Sequence, residues 1–425
     1  MSFAELWDSL LPVGRDATTG GYRRYSFTEA DAACREWFFK AAAERSLRAD
    51  SDRNGNLWAW WDVPTGGPAS SAVITGSHLD SVPDGGAYDG PLGVVSGFAA
   101  IDLLRAGGFA PARPVAVAAF CEEEGARFGV PCLGSRLLAG VLPPQAAREL
   151  RDGRGVTLAE AMTGAGIDPA GLGEDDELLG SIGAFVELHI EQGRALADLG
   201  APVAIAEAIW PHGRWRLEFT GRADHAGTTR LADRSDPMLP LAATMLSARQ
   251  AAASHRALAT VGKVIALPGA ANAICSTVSA WLDARAPYQA VLDGAVSEIL
   301  RIAERAAAKH GVGCRIMPES VTPRVEFDAG LRGRLAAVLA ASGAGPAAGD
   351  AGGGGAGRSV RHAVPVLSTG AGHDAGVIAA RLPAAMLFVR NPTGVSHSPA
   401  EHAHPADCEA GVVALAAVLE ELAGR

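Results

Sequence analysis

The sequence predicts an α/β fold: a mixed sheet flanked by helices, interrupted by a smaller inserted α+β domain. Three observations carry this expectation. Short apolar runs, AVIT from Ala72 and PVAVAAF from Pro114, alternate with helical stretches. Polar, chemistry-bearing residues follow each run at once, which places a site at the carboxyl ends of a sheet. Near residue 213 the pattern shifts, and WRLEFT from Trp215 alternates like a half-exposed strand.

The elements follow in chain order. Phe27 to Ala43 reads as a helix with Thr28 as its cap. NGN from Asn54 is a turn, and LWAWW after it is a strand. The strand from Ala72 to Thr75 ends just before His78, and Leu92 to Leu104 is a helix. The strand from Pro114 to Phe120 runs directly into Cys121, Glu122, Glu123 and Glu124. Beyond residue 213, helices from Asp236 to Leu258 and from Val291 to Lys309 bracket a strand from Val278 to Ala284, a βαβ-rich block. The Gly/Ala-rich stretch from Ser342 to Arg358 is expected to be a mobile loop. A last strand-and-turn region carries His373 and His397.

Composition narrows the function. The chain has 425 residues, 48% hydrophobic and 20% charged, enough for two or three domains with a large core. A formal net charge of −10 excludes a general nucleic-acid binder and argues against adhesion to anionic membranes. The six cysteines form no CxxC pair, which points away from a zinc ribbon or disulfide framework and toward a reduced, cytoplasmic protein. The opening MSFAELWDSL lacks the basic and apolar regions of a signal peptide, and no apolar run reaches membrane-spanning length.

Four clusters offer chemistry. In GSHLDSV, His78 can bind a metal while Asp80, two residues on, takes the other ring N–H. Asp89, in a Gly-flanked turn, serves either as a helix cap or as a bridge between cations. Glu122, Glu123 and Glu124 repel one another; at the end of an apolar strand, a neutralising cation explains them better than a solvated acidic loop. One such carboxylate can bind metal while its neighbour stays free to carry protons. Strand alternation puts Glu187, His189 and Glu191 on one face, as ligands or as a polar sheet face. His397, in GVSHSPAE, gains weight from the company of the others.

Together these stretches resemble the M20-type binuclear metallohydrolases, and more narrowly the N-carbamoyl-L-amino acid and allantoate amidohydrolase branch. GSHLDSV, YDGPLGV, CEEEGARF, VELHIEQG, GRADHAGTT, LDAR, GAGHDA and GVSHSPAE occur in family order from about residue 75 to 401. The resemblance implies a catalytic domain over 1–212 and 324–425 and an inserted lid and dimerisation domain over 213–323. It implies two divalent metals, Zn²⁺ foremost with Mn²⁺ or Co²⁺ as alternatives, bridged by Asp89. His78 and His189 would complete one metal, and Glu124 and His397 the other. Glu123 would be the general base. His225 would hold the oxyanion, from the partner subunit of a homodimer, and Gln192, Asn272, Arg285 and His373 would contact the substrate. The implied reaction opens the linear C–N bond of an N-carbamoyl-L-amino acid to give amino acid, CO₂ and ammonia, with allantoate or ureidoglycolate as the alternative substrate. The sequence departs from the family pattern at Trp210, Pro211 and His212, and at Arg230 and Leu231. Arg230 and Arg234 would bind a second acidic group or pair with Asp233 and Asp236.

Overall fold

A computed structural model describes residues 2–63, 71–342 and 363–424; most of the expected Gly/Ala-rich loop lies outside them. The chain folds as two compact units, residues 1–207 with 326–425, and residues 208–325.

The first unit is built on a nine-stranded mixed sheet. Its centre holds Val115–Phe120, Ala72–His78, Ile182–Ile190 and Ala384–Val389, each parallel to the next. These strands are buried almost throughout. That is why they read as continuous apolar runs rather than alternating ones, since a parallel sheet is covered on both faces. Leu57–Trp61 and then Arg48–Ser51 extend one side antiparallel. Val203–Ile209, antiparallel to Ala384–Val389, extends the other.

Helix Pro91–Ala106 crosses between two central strands, and Pro at its first turn suits a residue without an N–H. It shares one core with helices Glu29–Glu44 and Pro405–Ala423, in which Phe38, Phe98, Leu188 and Leu415 are fully buried. Thr28 does precede Glu29–Glu44, but its hydroxyl donates to Tyr25 O instead of capping the helix. The strand expected over 72–75 runs on to His78, so this histidine is its last residue.

The second unit is a four-stranded antiparallel sheet in the order Gly313–Thr322, His212–Thr220, Thr277–Arg285, Leu258–Leu267. Helices Met238–His255 and Gln289–Lys309 pack with it around Leu217, Phe219, Val278, Leu282 and Ile299. The expected βαβ character is present in split form: His212–Thr220 and Leu258–Leu267 run parallel, joined by Met238–His255 and parted by one antiparallel strand, and so do Thr277–Arg285 and Gly313–Thr322, joined by Gln289–Lys309. Each central strand buries alternate residues only, and such a one-faced surface suits an antiparallel sheet with helices on one side.

Candidate metal centre

Four loops and strand ends of the first unit converge on Asp89. His78 ends one strand, His189 lies one residue from the end of its neighbour, Glu123 and Glu124 follow the third, and His397 lies in the loop after Ala384–Val389. Asp89 sits in the turn before Pro91–Ala106. His78 Nε2 and His189 Nε2 lie 3.6 and 3.2 Å from Asp89 Oδ1. His397 Nε2 lies 3.3 Å from Asp89 Oδ2 and 3.5 Å from Glu124 Oε2. One carboxylate thus stands between two sets of donors. Gly90 permits the approach: with φ +85°, a Cβ there would lie 2.4 Å from the His78 ring.

The donor set fits divalent cations. His78 Nδ1 faces Asp80 O at 3.1 Å and His189 Nδ1 faces Ile190 O at 2.9 Å. A carbonyl only accepts, so each neutral ring carries its proton on Nδ1 and turns a bare Nε2 toward Asp89. Both Nε2 atoms are buried and make no hydrogen bond among the described residues. Lone pairs aimed at a carboxylate call for a positive charge between them. The electrostatics agree. Burial opposes charge on His78, yet the carboxylates around it, Glu123 foremost, hold its pKa well above the usual imidazole value. Asp89 pushes His397 up to about 9. Burial and then Asp89 raise Glu124 to about 7, and burial, joined by Asp374, Glu124 and Asp80 and opposed by His78, drives Glu123 well above the carboxylate range. Burial would raise Asp89 too, but the imidazoles of His189, His397 and His78 around it keep it well below its ordinary value.

The three consecutive glutamates divide their work. Glu122 Oε1 accepts the N–H groups of Arg127 and Phe128, folding the loop back on itself. Glu124 faces His397. Glu123 Oε2 lies 3.6 Å from His78 Nε2, and Glu123 makes no contact with His397 or His189 among those above. Asp80 departs from its expected part. Its main-chain carbonyl is the nearer partner of His78 Nδ1, while its carboxylate, 3.5 Å away, accepts the N–H groups of Glu123 and Glu124. Those two amides engage the carboxylate, so it fixes the acidic loop as well as the histidine. Glu191 is also corrected. It lies beyond the strand and caps the next helix, accepting from Ala195 and Leu196 N–H.

Several contributors escaped sequence reasoning. Glu401 Oε1 accepts the N–H groups of Tyr88 and Asp89, and Ser396 Oγ reaches both Asp89 Oδ2 and Glu401 Oε2. Glu187, Ser77 and Ala375 form a second buried set behind the centre. Glu187 lies near His189 and His373, but its oxygens already accept from Ser77 Oγ and Ala375 N. Glu401, Ser396, Ser77 and Ala375 carried no sequence signal but position, close to the motif residues, whereas Glu187 was already a strand-face candidate.

Gln192 Nε2 donates to Asp89 Oδ2 at 2.8 Å, and its buried Oε1 is without a hydrogen-bond partner among the described residues. His373 is buried with its ring 4.5 Å from that of His189, and its Nε2 makes no hydrogen bond among the described residues. Burial and then His189 hold His373 well below the usual imidazole pKa, which keeps it neutral.

In the second unit, His225 and Asn272 are neighbours. Ala273 pairs with His225 across a short antiparallel bridge, and Asn272 O accepts from Ala226 N. His225 Nδ1 accepts the N–H groups of Gly227 and Thr228, so a neutral ring carries its proton on the exposed Nε2. Arg285, at the end of its strand, grips Asp283 through Nε and Nη2. Arg230 pairs with Asp233, whereas Arg234 donates to the carbonyls of Ala226 and Thr229 and so braces the His225 loop.

Residues 74–421 match the model of peptidase family M20/M25/M40. The chain is 36% identical over 423 residues to an N-carbamoyl-L-amino acid amidohydrolase of Geobacillus stearothermophilus, covering 98% of each protein. It is 32% identical to a ureidoglycolate hydrolase of Arabidopsis thaliana, covering 96% of this chain and 83% of that one. An amidase of the hydantoinase/carbamoylase family from Burkholderia vietnamiensis superposes with a TM-score of 0.86 at 27% identity, over 100% of this chain and 98% of the other.

Proposed function

The chain belongs to peptidase family M20/M25/M40, and from that membership we propose a binuclear metal amidohydrolase that cleaves the linear C–N bond of an N-carbamoyl-L-amino acid. The products are the amino acid, CO₂ and ammonia. The observation that carries this reading is the Asp89 carboxylate set between His78 and His189 on one side and Glu124 and His397 on the other. Those five residues would hold two divalent cations, Zn²⁺ foremost, with Mn²⁺ or Co²⁺ also suited to mixed nitrogen and oxygen donors. The chemistry such cations supply is polarisation of the ureido carbonyl and a water acidified toward neutral pH. Glu123, buried and outside the ligand set, takes the proton of the attacking water and delivers it to the leaving nitrogen. The free Oε1 of Gln192 accepts a ureido N–H, and His373 lines the pocket as a neutral ring.

The unit 208–325 serves as lid and dimerisation domain, corresponding to the expected 213–323. Helix Met238–His255 exposes Met238, Leu239, Met245 and Leu246, and the edge strand Leu258–Leu267 exposes Val264, Ile265 and Leu267. An apolar, unpaired sheet edge is a pairing surface, and a second copy of this chain is the partner we assign. His225 Nε2–H then donates to the developing oxyanion in the partner's site. His225→Ala is expected to lower turnover and spare metal content. Mixed with a Glu123→Gln variant it should regain activity, because hybrid dimers hold one intact site. Subunit exchange without recovery would rule out catalysis in trans.

Arg285 anchors the substrate α-carboxylate, taking it in place of Asp283, whose hold on the guanidinium shows the geometry of the grip. Arg285→Ala should lower kcat/KM about tenfold to a hundredfold, the scale of a charge-assisted bond, and Arg285→Lys should also be impaired for want of the fork. The loss should vanish for an N-carbamoyl amide. Wild-type cleavage of that amide as fast as the acid would remove the anchor.

A ureidoglycolate or allantoate substrate is the second reading, favoured by the Arabidopsis relative. Ammonia release from a panel of N-carbamoyl amino acids, allantoate and ureidoglycolate, each with Zn²⁺, Mn²⁺ and Co²⁺, chooses between them. Cleavage of dipeptides alone would overturn both. The six cysteines are free thiols, consistent with a reducing, cytoplasmic setting. No helix among the described residues is long and apolar enough to cross a membrane.

A further inference from the structure

Cys132 has no part in the chemistry above, yet it is fastened to Glu123 twice. Its Sγ lies 3.3 Å from Glu123 Oε1, and its backbone N–H donates to Glu123 O at 2.6 Å. Both side chains are buried, Cys132 at 4% and Glu123 at 6% exposure. The Cys132 backbone is left-handed, with φ 54° and ψ 38°, a conformation unfavourable for a residue with a Cβ and tolerated where surrounding contacts impose it. The two oxygens of Glu123 are therefore divided: Oε1 meets the thiol, and Oε2 faces His78 Nε2 across the centre.

We propose that Cys132 is a positioning residue for Glu123, its S–H holding Oε1 so that Oε2 stays turned toward the reacting water. This rests on the amidohydrolase reading above. The terminal torsion of a glutamate is broad, so an unheld carboxylate swings through many orientations. A thiol is a weak donor. It can fix the carboxylate with little loss of basicity, whereas a cationic or amide donor would stabilise the ionised form and weaken the base.

The test compares Cys132→Ala and Cys132→Ser in the metal-loaded enzyme. With Ala, kcat should fall about three- to tenfold, the size of one lost hydrogen bond, at unchanged KM and metal content. Ser, which restores a donor, should recover most of that loss. In a Glu123→Gln background the Ala change should cost nothing further, since the positioned base is gone. An undiminished loss in that background, or Ser as impaired as Ala, would assign Cys132 to packing alone. A readout without substrate separates this idea from the reaction itself. The infrared S–H stretch of Cys132, identified by its loss in Cys132→Ala, should move to higher frequency in Glu123→Ala as the hydrogen bond is removed. An unmoved band would overturn the proposal even if ureido substrates are cleaved. A shifted band would sustain the bond even if they are not.

Discussion

Asp89→Ala should leave a folded protein with no bound metal and no measurable ammonia release. The carboxylate adjoins both donor sets, with His78 and His189 at Oδ1 and His397 at Oδ2. Its removal would take a ligand from both proposed cations at once, and the negative charge that would draw them into a buried site. The loss should also be visible in stability. A ligand that binds only the folded state adds stability that grows with its concentration, about 2.7 kcal/mol at a hundredfold excess over Kd. Wild type should therefore melt higher as metal is added to the stripped protein, and Asp89→Ala should not respond. Elemental analysis and a melting series check both points. Two retained metal equivalents in the variant would remove Asp89 from the centre.

Glu123→Gln should keep its metals and its fold while losing about 10²–10⁴-fold in kcat, the usual worth of a positioned acid–base group. Gln preserves the shape and can still accept from Cys132, but it cannot take the proton of water. All five proposed ligands remain. The variant should thus separate binding from chemistry: normal metal content, a KM close to that of wild type, and turnover reduced to the level of the bare centre. Near-normal turnover would show that another group moves the proton, and Glu401 and Asp374, both buried carboxylates of the same unit, would be the next to examine.

How far the chain could be read varies with the range of the contacts involved. Local apolar pattern was enough for the central strands, because burial on both faces leaves an uninterrupted run such as VAVAAF. Strand exits marked where polar residues would gather. The motif resemblance supplied His78, Asp89, Glu124, His189 and His397 as one set, and the structure brings ligand atoms of His78, Asp89 and His189, and of Asp89, Glu124 and His397, within 4.8 Å of one another. The inserted unit read as βαβ-rich, and it is built of two such units, but the antiparallel strand that parts each parallel pair depends on which distant strand completes the sheet, and alternation within one strand carries no such information.

What the sequence by itself determined is therefore chemical and local: residue types, the strand ends that carry them, and the family that arranges them so. Tertiary structure alone decided that Glu122, the first of three adjacent glutamates, folds the loop and leaves the parts implied for Glu123 and Glu124 to those two. That division depends on the left-handed backbone at Glu122, with φ 54°, and on amide donors from Arg127 and Phe128 that no spacing rule foretells. It also decided that Asp80 holds the acidic loop, and that Glu401, 312 residues along the chain, sets the backbone of Asp89. Hydrogen bonds of that reach form only when the sheet has brought its strand ends together, since a buried amide must find its acceptor wherever folding has placed one.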